Sequence, residues 1–275
     1  MKIDEPSSDV AQAAERIAFR QRIDAFVASR DAGYTLTLDA LRAGISLKAI
    51  VATATDVARF ADEAIDIVKE EYRPRLDCKE GCSYCCCKPG VLVSVPEFLR
   101  IVDHIRTAFS AGEISALTER AHAYAAQMHG RSFDEFVDDS VPCPLLENGR
   151  CSVYAIRPLV CRGYNSTSVD GCRDAYANAD HLVPIFSVIK DVTDGATVGT
   201  SQCLQNAGVN DALLDLGTAI GIALQSSDEF IADVLKDSTT LAEAENSTWV
   251  PRIWSRVREL AREMGISSTL RAHSR

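Results

Sequence analysis

The sequence is poor in aromatic residues, at 7%, and in histidine, with five. None of His104, His122, His129, His181 and His273 stands in a HExxH pair, which removes the metalloprotease signature. Only His181 falls near a candidate site, where a proton carrier or ligand competes with the simpler reading of a surface residue. No stretch approaches the roughly eighteen continuous apolar residues of a membrane span. The opening MKIDEPSSDVAQAAER lacks a basic start followed by an apolar run, so no secretory signal is expected and the cytoplasm is the expected compartment. Excess positive charge is also missing. The formal net charge of -10 argues against a nucleic acid as principal partner, and Arg252, Arg256, Arg258 and Arg262 read as the wet face of a C-terminal helix. There is no serine nucleophile elbow and no phosphate-binding glycine loop. LLDLGTAIG, residues 213–221, superficially suggests the nucleotide loop of a methyltransferase, but its alanines and leucines fall at helical spacing and Ala219 takes the middle-glycine position, so a helix is expected.

What the sequence does have is cysteine. DCKEGCSYCCCKPG, residues 77–90, holds Cys78, Cys82, Cys85, Cys86 and Cys87; Cys143, Cys151, Cys161, Cys172 and Cys203 follow. With 275 residues and 47% hydrophobic content, the chain can bury a core without disulfide staples, and cytoplasmic thiols stay reduced. Cys203 reads as ordinary core filler. The others do not, because five thiols in one short glycine- and proline-bounded loop cannot all point into a core. Thiolate ligation explains them better: short spacers let several sulfurs reach one metal or one cluster while nearby amides donate to sulfur. The second block, residues 141–175, supplies Cys143, Cys151, Cys161 and Cys172, so closing the centre would couple metal binding to folding. A tetrathiolate centre carries net negative charge, and Arg157 and Arg162 are the candidate cations beside it. The spacing of Cys78, Cys82 and Cys85 also matches a radical S-adenosylmethionine site, but Cys86 follows at once and no series of βα units for a barrel is present.

The rest of the chain reads as mainly α, a helical scaffold around two irregular cysteine-rich loop blocks that form a metal centre. One compact unit is expected over residues 1–275: N-terminal helices in 1–76, a cysteine core with a helical insertion in 77–175, and C-terminal helices in 176–275. Helices are expected at 12–29, 37–43 and 47–70, the last with an apolar stripe from Leu47 to Val68. Ser94 with Glu97, and Ser110 with Glu113, form candidate capping boxes opening two further helices, the first with Pro96 in its first turn and the second running to about Met128. SVYAIRP is expected to form at most a short helix before Pro158. Helices return after Asp191, most clearly at 210–224 and 227–235, and Pro251 opens a last one to residue 266.

CKEGCSYCC at 78–86, followed by CPLLENGRCSVYAIRPLVCRGY at 143–164, resembles the YkgJ-like CxxCxxCC cysteine-cluster family, described as a zinc- or iron-chelating domain. The resemblance rests on Cys78, Cys82, Cys85, Cys86, Cys143, Cys151, Tyr154, Arg157, Pro158, Cys161 and Arg162. One branch it resembles, the flagellin lysine N-methylases, combines an iron–sulfur cluster with methyl transfer from S-adenosylmethionine, which ranks iron–sulfur, 4Fe-4S first, above Zn2+. Cys87 adds a third consecutive cysteine to the family's pair and could be an alternate ligand, a free thiol or filler. Cys172 lies beyond the compact motif and completes an expected set of eight ligands. Three functions stay open: an iron–sulfur protein with a redox or modification role and a redox partner, a structural zinc protein, and a methylase-like enzyme acting on protein lysine. Neither a protein nor a small-molecule substrate is identified.

Overall fold

The computed structural model describes residues 8–88, 90–131, 139–178, 180–236, 238–241 and 244. The expected helix at 251–266 and the four C-terminal arginines lie outside the described residues.

The architecture is mainly helical. α1 (Ser8–Arg42) and α2 (Leu47–Tyr72) lead into the first cysteine loop, followed by β1 (Leu92–Ser94), α3 (Val95–Ala108) and α4 (Ala111–Met128). The second cysteine block holds a hairpin of β2 (Leu146–Glu147) and β3 (Arg150–Cys151), then α5 (Leu159–Gly163) and α6 (Val169–Ala177). α7 (Ser187–Asn206), β4 (Leu213–Asp215), α8 (Leu216–Ala223) and α9 (Asp228–Asp233) complete the named helices and strands.

The two helices expected at 12–29 and 37–43 are one continuous helix, α1. Gly33, Thr35 and Thr37 are weak helix formers, which is why the sequence reads as broken there. Tertiary packing overrides that preference. A Cβ on Gly33 would lie 2.5 Å from the Ala196 carbonyl oxygen, and Cβ atoms on Gly195 and Gly199 of α7 would lie 2.3 and 1.9 Å from the carbonyl oxygens of Phe26 and Arg30. The two helix backbones therefore touch, which glycine permits and larger residues forbid. Arg22 on α1 locks the pair through Asp191 on α7, with Nε–Oδ2 at 2.7 Å and Nη2–Oδ1 at 3.1 Å.

α2 starts where expected. Ser46 accepts from the Ala49 amide at 3.2 Å, and Ile50, Ala54, Val57, Ala61, Ile65 and Val68 form its buried stripe. It ends at Arg73, held in the left-handed region at φ 47°, because Pro74 disfavours a further helical residue before it. Both capping boxes form, at Ser94–Glu97 and Ser110–Glu113.

The helix expected at 210–224 is a strand followed by a helix. β4 pairs antiparallel with β1, Val93 opposite Leu214, and every residue of both strands is buried. Each strand hands its last residue to a helix as cap: Ser94 to α3 and Asp215 to α8. A fully buried three-residue strand has no polar alternation to mark it, so its leucines read as helical. LGTAIG itself is helical, and its glycines serve packing: a Cβ on Gly217 would meet the Tyr124 ring at 2.4 Å, and one on Gly221 would touch Ala121 at 3.5 Å. The main core joins α2, α3, α4, β1, β4 and α8 through residues such as Ile50, Phe98, Ile105, Leu117, Leu214 and Ile220.

Candidate metal centre

The two cysteine blocks are tied together by their backbones. The amides of Asp77 and Cys78 both donate to the Ser166 carbonyl at 2.9 and 3.1 Å, and the Cys143 amide donates to the Cys86 carbonyl at 2.8 Å. Ser140 Oγ donates to the Cys87 carbonyl at 3.3 Å, and the rings of Tyr84 and Tyr176 pack at a tilt of 54° with centroids 5.9 Å apart, seating α6 on the first loop.

Within the first loop, Gly81 turns the chain at φ 86° and Cys85–Cys87 form one 3-10 turn. In the second block, Asn148 at φ 50° and Gly149 at φ 77° make the two-residue turn between β2 and β3. That turn needs two left-handed residues, the reason Asn-Gly suits it. The hairpin sets Cys151 opposite Leu146, whose amide donates to the Cys143 carbonyl at 2.9 Å. The Asn-Gly pair was a readable hairpin signal that the loop reading passed over.

Cys161 sits on α5, which is anchored by two buried side chains. Glu97 accepts from the Ser94 amide at 3.0 Å and the Ser94 hydroxyl at 2.7 Å, while its other oxygen accepts from the Leu159 amide at 2.7 Å. Arg162 donates to the carbonyls of Arg157 and Ala155 at 2.9 and 3.1 Å and pairs with Asp62 of α2. Cys172 sits in α6, whose cap Ser168 accepts from the Gly171 amide at 3.1 Å.

These elements surround one cavity of about 630 Å³. Cys78, Cys82, Cys85 and Cys86 line it from the first loop, and Cys143, Cys151, Cys161 and Cys172 from the second block. Cys87 and Cys203 are outside this lining; Cys203 is buried in the interior at 1% exposure. His181 is an exposed loop residue outside the lining. Arg157 and Arg162 both line the cavity, the former with its guanidinium 4.1 Å above the Tyr154 ring. Residues not proposed from the sequence as part of the site complete the wall: Asp62, Ile65, Asp66 and Lys69 from one face of α2, and Tyr84, Tyr164 and Tyr176 from the cysteine blocks. The α2 residues recur at helical spacing along the apolar stripe, so charges interrupting that stripe's margin were the available signal.

Burial raises the thiols' affinity for protons. It pushes Cys143 up to about 12 and Cys161 well above the usual thiol value, with Cys151 and Cys143 adding repulsion between neighbouring thiolates. Cys85 is raised first by its hydrogen bond with Cys86 and then by burial. Burial also raises Cys78, Cys151 and Cys172, and Arg157 opposes the effect at Cys151. The thiols cannot ionise together without a compensating cation, so any metal taken up here displaces protons. Among the described residues, no three cysteine, histidine or carboxylate side chains converge closely enough to hold a single metal ion. The thiols ring a space and do not meet at a point.

Residues 77–182 match the CxxCxxCC family. Its description reads "Putative zinc- or iron-chelating domain". All eight cavity thiols fall inside the CxxCxxCC match, whereas Cys203 falls outside it. The match supports cysteine-ligated binding of zinc or iron. No curated protein and no solved structure matches the chain. Among the described residues, no helix is long and apolar enough to cross a membrane.

Proposed function

We propose that the CxxCxxCC cavity holds iron–sulfur on cysteine ligands and that the protein serves a redox or modification reaction. The observation that carries this reading is the ring of eight thiols around a cavity of about 630 Å³. A structural zinc ion holds four sulfurs at about 2.3 Å, which sets them under about 4 Å from one another. An iron–sulfur cluster takes its thiolates on separate iron corners and so accepts a wider ring of ligands. The donor set fits the group, and Arg157 on the wall supplies positive charge toward the anionic centre that four thiolates make, while Lys69 is paired with Asp66. When bound, such a centre supplies one-electron transfer or a Lewis-acidic iron.

The chain's own part is to present the thiols, to keep solvent from the deeper ones and to fix their spacing. Glu97 and Arg162 fix α5 and with it Cys161, and the Asn148–Gly149 turn fixes Cys151 relative to Cys143. A structural zinc site is the second reading, favoured by the family's own description. The methylase-like reading draws no support from residues 213–221, since Gly217 is packed against Tyr124 and no glycine loop is left for a nucleotide.

The test is anaerobic purification followed by iron, zinc and acid-labile sulfide determination with the visible spectrum. Brown protein with equal iron and sulfide, bleached by dithionite, is expected. Colourless protein that carries zinc even after iron-rich growth would overturn the proposal in favour of a zinc clamp.

A further inference from the structure

The wall of the cavity draws on two separate packing units. Cys143 and Cys151 lie against the main core, where Leu145, Val153 and Leu216 also reach the cavity. Ile65 and Ile189 belong to a second packed cluster, between α2 and α7, with Leu76 and Phe186 on its margin. Ile65, Leu76 and Ile189 line the cavity too, so it runs from thiols seated on the main core to an apolar end. A centre held on four thiolates makes no use of that end.

Asn165 stands at the apolar end. Its backbone carbonyl accepts from the Phe186 amide at 3.4 Å, and the next residue, Ser166, is bridged to Ile185. Asn165 is 7% exposed and lines the cavity. Its side-chain nitrogen donates at 2.6 Å to the Gly163 carbonyl, a group that can only accept, so the amide cannot be turned over and its oxygen is the end left over. That oxygen is buried without a hydrogen-bond partner. A buried acceptor with no donor is destabilising, and native proteins keep few of them unless a water or a ligand supplies the donor. The Tyr164 carbonyl, one residue earlier, accepts from the Cys78 thiol at 3.5 Å, so this end adjoins the thiols.

The charges of the α2 wall are already paired: Asp62 with Arg162, and Asp66 with Lys69 at 2.9 Å. A ligand carboxylate would meet the lone pairs of Asn165, and an ammonium would find those carboxylates occupied. A neutral group that offers N–H fits, carried on an apolar body that covers Ile65, Leu76 and Ile189. The volume, about 630 Å³, lies within the range of roughly 300–1,000 Å³ usual for small-molecule sites. We infer that the Asn165 end of the cavity is a substrate subsite beside the thiols, taking a carboxamide on a short apolar chain, with Asn165 accepting from its N–H. This subsite depends on the cavity being the centre of the proposed redox or modification reaction, and not on which metal the thiols hold.

Hexanamide and hexanoate are titrated separately into anaerobically purified, metal-loaded protein, with binding read by ligand-observed nuclear magnetic resonance and metal content measured on the same sample. Hexanamide should saturate with a Kd of about 1 mM or tighter, and hexanoate should bind at least about tenfold more weakly. Val183 lines the cavity from the loop before α7, whereas its neighbour Leu182 is 89% exposed and outside the lining. Val183→Trp should therefore weaken hexanamide binding at least about tenfold with metal content unchanged, and Leu182→Trp should leave it as in wild type. Asn165→Ala with unchanged circular dichroism should lose the preference for hexanamide over hexanoate; if it does not fold, the wild-type preference and the two tryptophan variants decide. No saturable hexanamide binding, equal affinity for the two probes in wild type, or equal binding in Val183→Trp and wild type overturns the subsite. Iron–sulfur protein that ignores hexanamide would sink the subsite alone, and zinc protein that binds it would overturn the iron–sulfur proposal alone.

Discussion

Replacing Arg162 by lysine separates a clamp from a charge. The Arg162 side chain is 3% exposed, and its fork reaches the Arg157 carbonyl at 2.9 Å and the Ala155 carbonyl at 3.1 Å while pairing with Asp62. A lysine keeps the positive charge and can keep one partner, but it has no planar fork to serve two carbonyls and a carboxylate. Hydrogen bonds to a charged donor contribute about 1.5–3 kcal/mol each, and Asp62 is half exposed, so its pairing adds little. A lysine that keeps a carbonyl loses one such bond and one that keeps Asp62 loses both, which at the lower figure gives about 1.5–3 kcal/mol of destabilisation, equivalent to a fall of roughly 3–12 °C in Tm for a chain of this size. Urea unfolding of wild type and Arg162→Lys, followed by circular dichroism, measures it. A variant within about 0.5 kcal/mol of wild type would refute the clamp and leave only the charge of Arg162 as its contribution.

Gly199→Ala puts a methyl 1.9 Å from the Arg30 carbonyl oxygen; the overpacking cost of about 1–3 kcal/mol or more outweighs the gain of about 1 kcal/mol in helix propensity, and a rise in Tm would contradict the α1–α7 contact. Cys87→Ala and Cys203→Ala should each bind as much metal as wild type, whereas Cys143→Ala should bind less; equal losses in all three would contradict the cavity assignment. Asp215 is buried and its folded pKa is raised by desolvation, against hydrogen bonds from Thr218 and Tyr124 that lower it. The folded state thus holds this proton more tightly than the unfolded state, where the pKa is about 3.9, so the Asp215 contribution to stability falls as pH rises from there through the folded value. Asp215→Asn should flatten that slope relative to wild type in urea unfolding across acid pH, and parallel profiles would refute the burial argument.

What the sequence made legible follows the range of the forces involved. The capping boxes of Ser94–Glu97 and Ser110–Glu113 are local, and both formed. Cysteine chemistry is legible because thiol spacing is a local constraint with few bland explanations, and the eight thiols named from it share one cavity. α1 was misread as broken because its continuity depends on α7, more than 150 residues away, lying against Gly33. β4 was misread because a short strand buried throughout has no period. The Asn148–Gly149 hairpin was legible and overlooked among prolines and glycines.

The most direct test of the central claim is X-ray absorption at both the iron and zinc edges on anaerobically purified, unreconstituted protein. An iron–sulfur centre gives an iron edge with a sulfur first shell and, behind it, scattering from neighbouring irons. A zinc edge with four sulfurs at about 2.3 Å, and no iron edge, would contradict it.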